Sequence, residues 1–292
     1  MGLVITIANQ KGGVGKTITA TCMASILTQQ NYKVLTISLD PQRNFDMVAG
    51  EGVAIRRNDI DTVSMLHVLR GSHPIADAIV PTQLGDLARA SSQLYQWTGE
   101  QTISQDEYLP LRDHYEALVA FLDQRVLQDG NGTKVLAERL GPVRDAYDFI
   151  LIDTNPSLTL LTLNSLCAAD YVIIPAFSEE TSTNAIAELW DTICTLNYYD
   201  LWHKTKVLGI LMTRCNFRSI AFNHHNEIFE AVAGQIGTRL FHTKIRQSAR
   251  GSDYAEYGMD LIRLDPGGKT AQDYRAFVEE FKEAIQEEEG KK

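Results

Sequence analysis

The sequence predicts an α/β protein built on a doubly wound, mostly parallel twisted sheet with helices on both faces. Three observations carry that expectation. Continuous apolar runs recur along the chain and mostly alternate with stretches of helical apolar spacing, the pattern of strands buried on both faces. The first run is followed at once by Lys11-Gly12-Gly13-Val14-Gly15-Lys16-Thr17. Asp40 and Asp153 each fall just after a further apolar run, and the carboxyl ends of strands are where ligands of such sheets gather.

Taken in order, Val4–Ala8 reads as the first strand. In the glycine-rich stretch after it, the backbone can fold tightly enough for consecutive N–H groups to face phosphate oxygens. A helix beginning near Lys16, with Ala20, Met23, Ala24 and Leu27 at helical spacing, adds its positive end. Lys16 would reach the β- and γ-phosphates and the Thr17 hydroxyl would bind Mg²⁺. Gln10 stands where the usual pattern G-x-x-x-x-G-K-[ST] has its first Gly, and a second lysine, Lys11, stands beside the glycine pair.

Val34–Ser38 is the second strand, and Asp40-Pro41-Gln42-Arg43-Asn44 follows it. A carboxylate at that place can orient a water in line with a γ-phosphate. From about Trp97 to Thr133 the chain is first polar, then helical in spacing from Glu107 to Val126, then turn-forming at Asp129-Gly130-Asn131-Gly132. This segment is expected to be an insertion packed on the sheet edge. Phe149–Ile152 ends in Asp153, suited to holding Mg²⁺ through a water. Tyr171–Pro175 and Val207–Thr213 complete the expected strands. From Ala271 to Glu289 the positions Tyr274, Phe277, Val278, Phe281 and Ile285 form one apolar helical stripe.

With 292 residues and 44% apolar content, one large domain spanning 1–292 is favoured over two small ones. No run approaches the ~18 apolar residues of a membrane span, and the N-terminus lacks a signal-peptide layout, so a cytoplasmic protein is expected. The cysteines Cys22, Cys167, Cys194 and Cys215 are far apart in apolar segments and read as buried hydrophobes. The pair His224-His225 has no further metal-ligand partner at suitable spacing and reads as a surface doublet. The net charge of −10 argues against nucleic acid, but eight basic against two acidic residues from Leu201 to Arg250 give a local balance of +6, leaving −16 on the rest.

The glycine loop with its extra lysine resembles the deviant Walker A motif of the ParA/MinD class of P-loop ATPases, in which that lysine crosses a dimer interface to the partner's nucleotide. The segment around Asp40 resembles the ParA D-x-D-P-Q-x-N motif, with Ser38 at the first Asp and Arg43 at the usual Gly. Asp153-Thr154-Asn155-Pro156-Ser157 resembles D-x-P-P-S, with Asn155 at the first Pro. Leu163 to Asp170 is similar to the family's T-L-N-A-L-x-A-A-D helix, and Ile174-Pro175 to the strand end after it. Gly209–Ser219 and Arg250–Gly258 are similar to two later segments. There Asp253 replaces a Glu, Arg246 a Pro and Ser248 an Asn; the Pro and the Asn flank the adenine.

The resemblance implies a ParA/Soj-type partition ATPase without an N-terminal DNA-binding extension. Its nucleotide site would comprise Lys11, Gly12, Gly13, Val14, Gly15, Lys16, Thr17 and Ile18, with Arg246 and Ser248 near the base. Lys11, Lys16 and Asp40 would be catalytic, Thr17 and Asp153 would hold Mg²⁺, and Arg218 and Arg250 would contact DNA. ATP and Mg²⁺ would join two chains into a homodimer that binds double-stranded DNA non-specifically on the nucleoid, and a ParB-type centromere-binding or adaptor partner would stimulate hydrolysis. A ParA-like ATPase positioning a protein cargo uses the same chemistry. A MinD-like membrane regulator fits less well, because Glu287-Glu288-Glu289 would be repelled by anionic lipid. An electron-transferring ATPase like the nitrogenase iron protein would need paired thiolates at a shared cluster.

Overall fold

The computed structural model describes residues 1–51, 62–98, 132–179, 182–198, 205–247 and 257–290. Its strands are β1 Leu3–Ile7, β2 Val34–Ser38, β3 Ile79–Thr82, β4 Gly85–Ala88, β5 Phe149–Asp153, β6 Tyr171–Phe177 and β7 Lys206–Thr213. They form one seven-stranded sheet in the order β3-β4-β2-β5-β1-β6-β7. Every neighbouring pair is parallel except β3 with β4.

The mostly parallel sheet expected from the sequence is therefore present, and each of the five expected strands lies within two residues of its place. The sequence reading missed β3 and β4. Each has four residues, and Pro81, Gly85 and Asp86 dilute the apolar signal that marks the others. Pro81 is tolerated because β3 is the outer strand, where a missing N–H leaves no neighbour unpaired.

Alternating residues of the sheet feed opposite cores, as the two-residue period of a strand requires. Ile5, Ile7, Leu151 and Ile173 face helices α1 (Lys16–Gln29) and α8 (Lys269–Gly290). Val4, Ile150 and Ile152 face α2 (Met65–Leu69) and α3 (Val135–Arg144). Val172, Ile174 and Met212 face α4 (Leu160–Ala168), α5 (Ser182–Tyr198) and α6 (Ile220–Gln235). A short α7 (Leu261–Leu264) precedes α8. The stripe Tyr274, Phe277, Val278, Phe281 and Ile285 is buried as its spacing predicts. Each such aromatic or aliphatic side chain contributes about 1.5–3 kcal/mol by leaving water.

Two expectations are corrected or fall outside. Cys194 is exposed on α5, whereas Cys22 and Cys215 are buried, because a helix with polar neighbours turns one of its faces outward. The expected insertion at 97–133, with its helix and turn, lies almost wholly outside the described residues. Among the described residues no helix is long and apolar enough to cross a membrane. The strand order places β5 between β2 and β1, so the loops after all three open side by side at one end of the sheet.

Candidate active site

The loop between β1 and α1 takes its shape from two glycines. Gly13 (φ +72°) and Gly15 (φ +92°) are left-handed, a conformation that side chains rarely adopt, and a Cβ on Gly12 would meet nothing within 4 Å. Gly15 caps α1 without a side-chain hydrogen bond, so the first N–H groups of the helix are left for an anion. Gln10 turns away from the loop and donates from Nε2 to Thr192 Oγ1 on α5 at 3.0 Å.

Buried Asn9 donates from Nδ2 to the Pro175 carbonyl and accepts from the Lys11 N–H, both at 2.8 Å. The Thr213 hydroxyl lies 2.9 Å from the Val14 carbonyl and 3.2 Å from that of Ala176. The ends of β6 and β7 thus brace the loop at two points. The sequence reading missed both braces. Asn9 left one signal, a polar residue at the end of an apolar strand.

Lys16 is 6% exposed and its Nζ donates to the Lys11 carbonyl at 3.0 Å, folding the side chain back over the loop. Burial lowers its pKa to about 8, against the opposing pull of Asp153 and Asp40. Thr17 donates to Asp153 Oδ1 at 3.3 Å. Asp153 is fully buried, and burial followed by repulsion from Asp40 pushes its carboxyl up to about 8 despite Thr17 and Lys16. Its Oδ2 has no hydrogen-bond partner. A divalent cation fits here: a buried carboxylate with an orphaned oxygen, a hydroxyl beside it, and an excess of negative charge.

Asp40 is 6% exposed and held in an Asx turn. Oδ1 accepts from the Gln42 N–H at 2.9 Å and Oδ2 from Asn44 Nδ2 at 3.3 Å. Each oxygen keeps a further lone pair, so the carboxylate can still accept from a water. Arg43 adopts φ +59°, which explains why the resembled motif has Gly there. Its Nε lies 3.3 Å from Asp46 Oδ2. Burial raises Asp46 to about 6, opposed by Arg43 and the Ser38 hydroxyl. Asn155, standing for a proline, lies with its Oδ1 3.2 Å from Thr162 Oγ1, whose hydroxyl donates to the Ser157 carbonyl at 2.7 Å, so Thr162 ties this loop to its own helix.

Lys11 points out of the loop and pairs with Glu179 Oε1 at 2.5 Å, with its Nζ 6.0 Å from the centre of the Phe177 ring. The Arg214 guanidinium lies 4.5 Å from the centre of the same ring. Glu179 and Phe177 escaped the sequence reading because they approach Lys11 only through the strand order. Ile18 is half-buried against the core beneath.

Around β7 the sequence expectation needs correction. Lys206 pairs with Glu288 at 2.8 Å, Arg239 with Glu287 at 2.8 Å and Glu288 at 3.6 Å, and Arg246 with Asp273 at 2.6 Å. Acids of α8 therefore cancel much of the local +6. Arg246, expected near the base, is fixed by Asp273 and stacks 5.5 Å from the Phe217 ring. Arg218 is exposed in the loop after β7, where its N–H donates to Asn216 Oδ1 at 3.2 Å. Ser248 and Arg250 lie outside the described residues. A groove at the opposite end of β6 and β7, near Trp190 and Cys194, is remote from this chemistry.

The chain matches a family model described as "AAA domain" over residues 2–206. It is 32% identical over 281 residues to the chromosome partitioning protein ParA of Myxococcus xanthus, covering 96% of this chain and 88% of that protein. Its fold resembles that of apo McdA from Cyanothece with a TM-score of 0.75 at 23% identity, over 98% of this chain and 100% of that one. It also resembles cobyrinic acid a,c-diamide synthase from Mycobacterium smegmatis, solved with an ATP analogue and magnesium. The TM-score there is 0.71 at 27% identity, over 96% and 93% of the two chains.

Proposed function

The chain belongs to the AAA-domain family and, within it, to the ParA/Soj group of partition ATPases; from that premise we propose that it is a DNA-partition ATPase whose ATP-bound dimer holds DNA and lets go on hydrolysis. The observation that carries the ATPase reading is the convergence of Lys16, Thr17, Asp153 and Asp40 on one braced glycine loop.

In this reading the loop N–H groups and Lys16 cradle the β- and γ-phosphates, and the burial of Lys16 makes its charge count for more than it would in water. Thr17 and Asp153 would hold Mg²⁺, which would supply neutralising charge to the phosphates. Asp40, kept in place by Gln42 and Asn44, orients the attacking water and accepts from it as the γ-phosphoryl leaves. Lys11 exchanges Glu179 for the phosphates of a second chain. The pair it abandons is partly exposed and worth only about 0.2–1 kcal/mol, so a phosphate contact can displace it.

Dimerisation sets two copies of the turn that carries Arg218 on one DNA, and the linked second contact raises affinity without any new interaction. Arg218 and Arg250 are the proposed DNA contacts, and a ParB-type partner accelerates release. Cytoplasmic, nucleoid-associated localisation follows from this reading. The test is DNA co-sedimentation across a salt series with ATP and with ADP. ATP-dependent, sequence-independent retention that falls steeply with salt is expected, and it should be lost in Arg218→Glu and Arg250→Glu while ATP-driven dimerisation persists. Equal retention of wild type and both variants would overturn the DNA assignment.

A further inference from the structure

Three buried oxygens, two at the ends of β2 and β5 and one on the short helix after β2, close no hydrogen bond of ordinary geometry: Ser38 Oγ, Asp153 Oδ2 and Asp46 Oδ1. All three residues are 0% exposed. Ser38 and Asp153 are register partners across the parallel pair, so their side chains leave the sheet on the same side. The Ser38 hydroxyl also faces Asp46 and favours its ionised form without closing a bond of ordinary geometry. Buried polar atoms are seldom left unmatched, and several unmatched together mark a place built for water or an ion.

We propose that Asp46 supplies, from the short helix Asn44–Asp46 after β2, the carboxylate that Ser38 leaves missing at the strand end, and that Asp46 and Ser38 together hold the water shell of the divalent ion carried by Thr17 and Asp153. This rests on the nucleotide site proposed above. Its pairing with Arg43 engages only Oδ2 of Asp46; the Ser38 hydroxyl and the Ala90 backbone N–H also face this carboxylate, yet Oδ1 closes no hydrogen bond of ordinary geometry. The ion's shell supplies that partner, along with one for Ser38 Oγ. Two departures from the resembled motif then share one cause. Serine at 38 makes room for a carboxylate from 46, and arginine at 43, despite its left-handed backbone, balances that carboxylate's charge. Outer-shell groups of this kind orient a metal's water and tune its affinity.

The experiment follows Mn²⁺ binding to the ADP-loaded protein by electron paramagnetic resonance, with ADP affinity in EDTA and thermal melts as controls. Asp46→Asn should weaken Mn²⁺ binding about 10–100-fold and leave ADP affinity in EDTA unchanged. The exchange variant, Ser38→Asp with Asp46→Ser, should return Mn²⁺ affinity to near the wild-type value, and it decides the matter alone if Asp46→Asn does not fold. A wild type that binds ADP and Mn²⁺ beside an Asp46→Asn variant of equal Mn²⁺ affinity overturns this inference only. So does an exchange variant that does not regain Mn²⁺ affinity. A wild type that holds no Mn²⁺ with ADP overturns the nucleotide-site reading and this inference with it.

Discussion

The loops after β1, β2 and β5 and the segment from Leu201 to Arg250 are both dense in charge, but the fold treats them in opposite ways. At the loops, residues far apart in sequence converge and stay imbalanced, with Asp40, Asp46 and Asp153 against Lys16 and Arg43. In the segment, basic residues close in sequence are met by α8, whose Asp273, Glu287 and Glu288 neutralise Arg246, Arg239 and Lys206. A functional site keeps its charge unpaired for a ligand. A charge balance counted along a window of sequence says little about the surface until the elements packed on it are known.

The comparison can be broken most sharply at Asp40. If the imbalance serves chemistry, Asp40→Ala should lower single-turnover hydrolysis about 10²–10⁴-fold while nucleotide affinity is retained. A wild-type rate in that variant would remove Asp40 from the reaction. Next in size is Lys11→Ala, which should weaken the ATP-dependent dimer by a factor of about 30 or more, the loss expected for one buried charged contact. Light scattering with ATP and Mg²⁺ reads it, and an unchanged dimer would refute a cross-subunit role.

A pH titration sharpens the same side. In the proposed site Lys16 would bind phosphate as the ammonium, and burial lowers its pKa from the ordinary lysine value to about 8. Above that value the free protein must take up a proton to bind, so ADP affinity without Mg²⁺ should fall as pH rises from 7 to 9, by about tenfold per unit beyond the pKa. Lys16→Arg should flatten the profile. The smallest effect belongs to the masked segment. Glu287→Gln with Glu288→Gln frees Lys206 and Arg239, and the log–log salt slope of DNA retention should steepen by about 0.9 for each cation that reaches a phosphate. An unchanged slope would mean that the freed cations face away from DNA.

How much could be read in advance follows the same division. Lys11 to Thr17, Asp40 and Asp153 were legible because each works through backbone geometry set by its immediate neighbours or by the end of its own strand. Strands β1, β2, β5, β6 and β7 were legible because burial on both faces leaves a continuous apolar run. Glu179 and Thr213 were not, since their partners are brought to them by strand order, and Asp46 was not, since nothing in its neighbouring letters says that the segment after β2 turns it inward. Pro81 and Asp86 hid an edge pair whose stability comes from tertiary packing. The departures Arg43 and Asn155 were visible as letters, but only the left-handed φ of one and the place of the other beside the Thr162 hydroxyl gave them physical meaning.

Thr213 turns one hydroxyl into a mechanical link. Its hydrogen bond holds the carbonyl of Val14 inside the phosphate loop, and the chain leaves it directly for the exposed turn that carries Arg214 and Arg218. The bond is 2.9 Å long, and a displacement of the turn by well under an ångström carries such a bond beyond about 3.5 Å, where little of its energy remains. A displacement of the outer turn would therefore reach the Val14 carbonyl through a few covalent bonds and one hydrogen bond, so the turn proposed to meet DNA and the loop proposed to meet phosphate share a single tether.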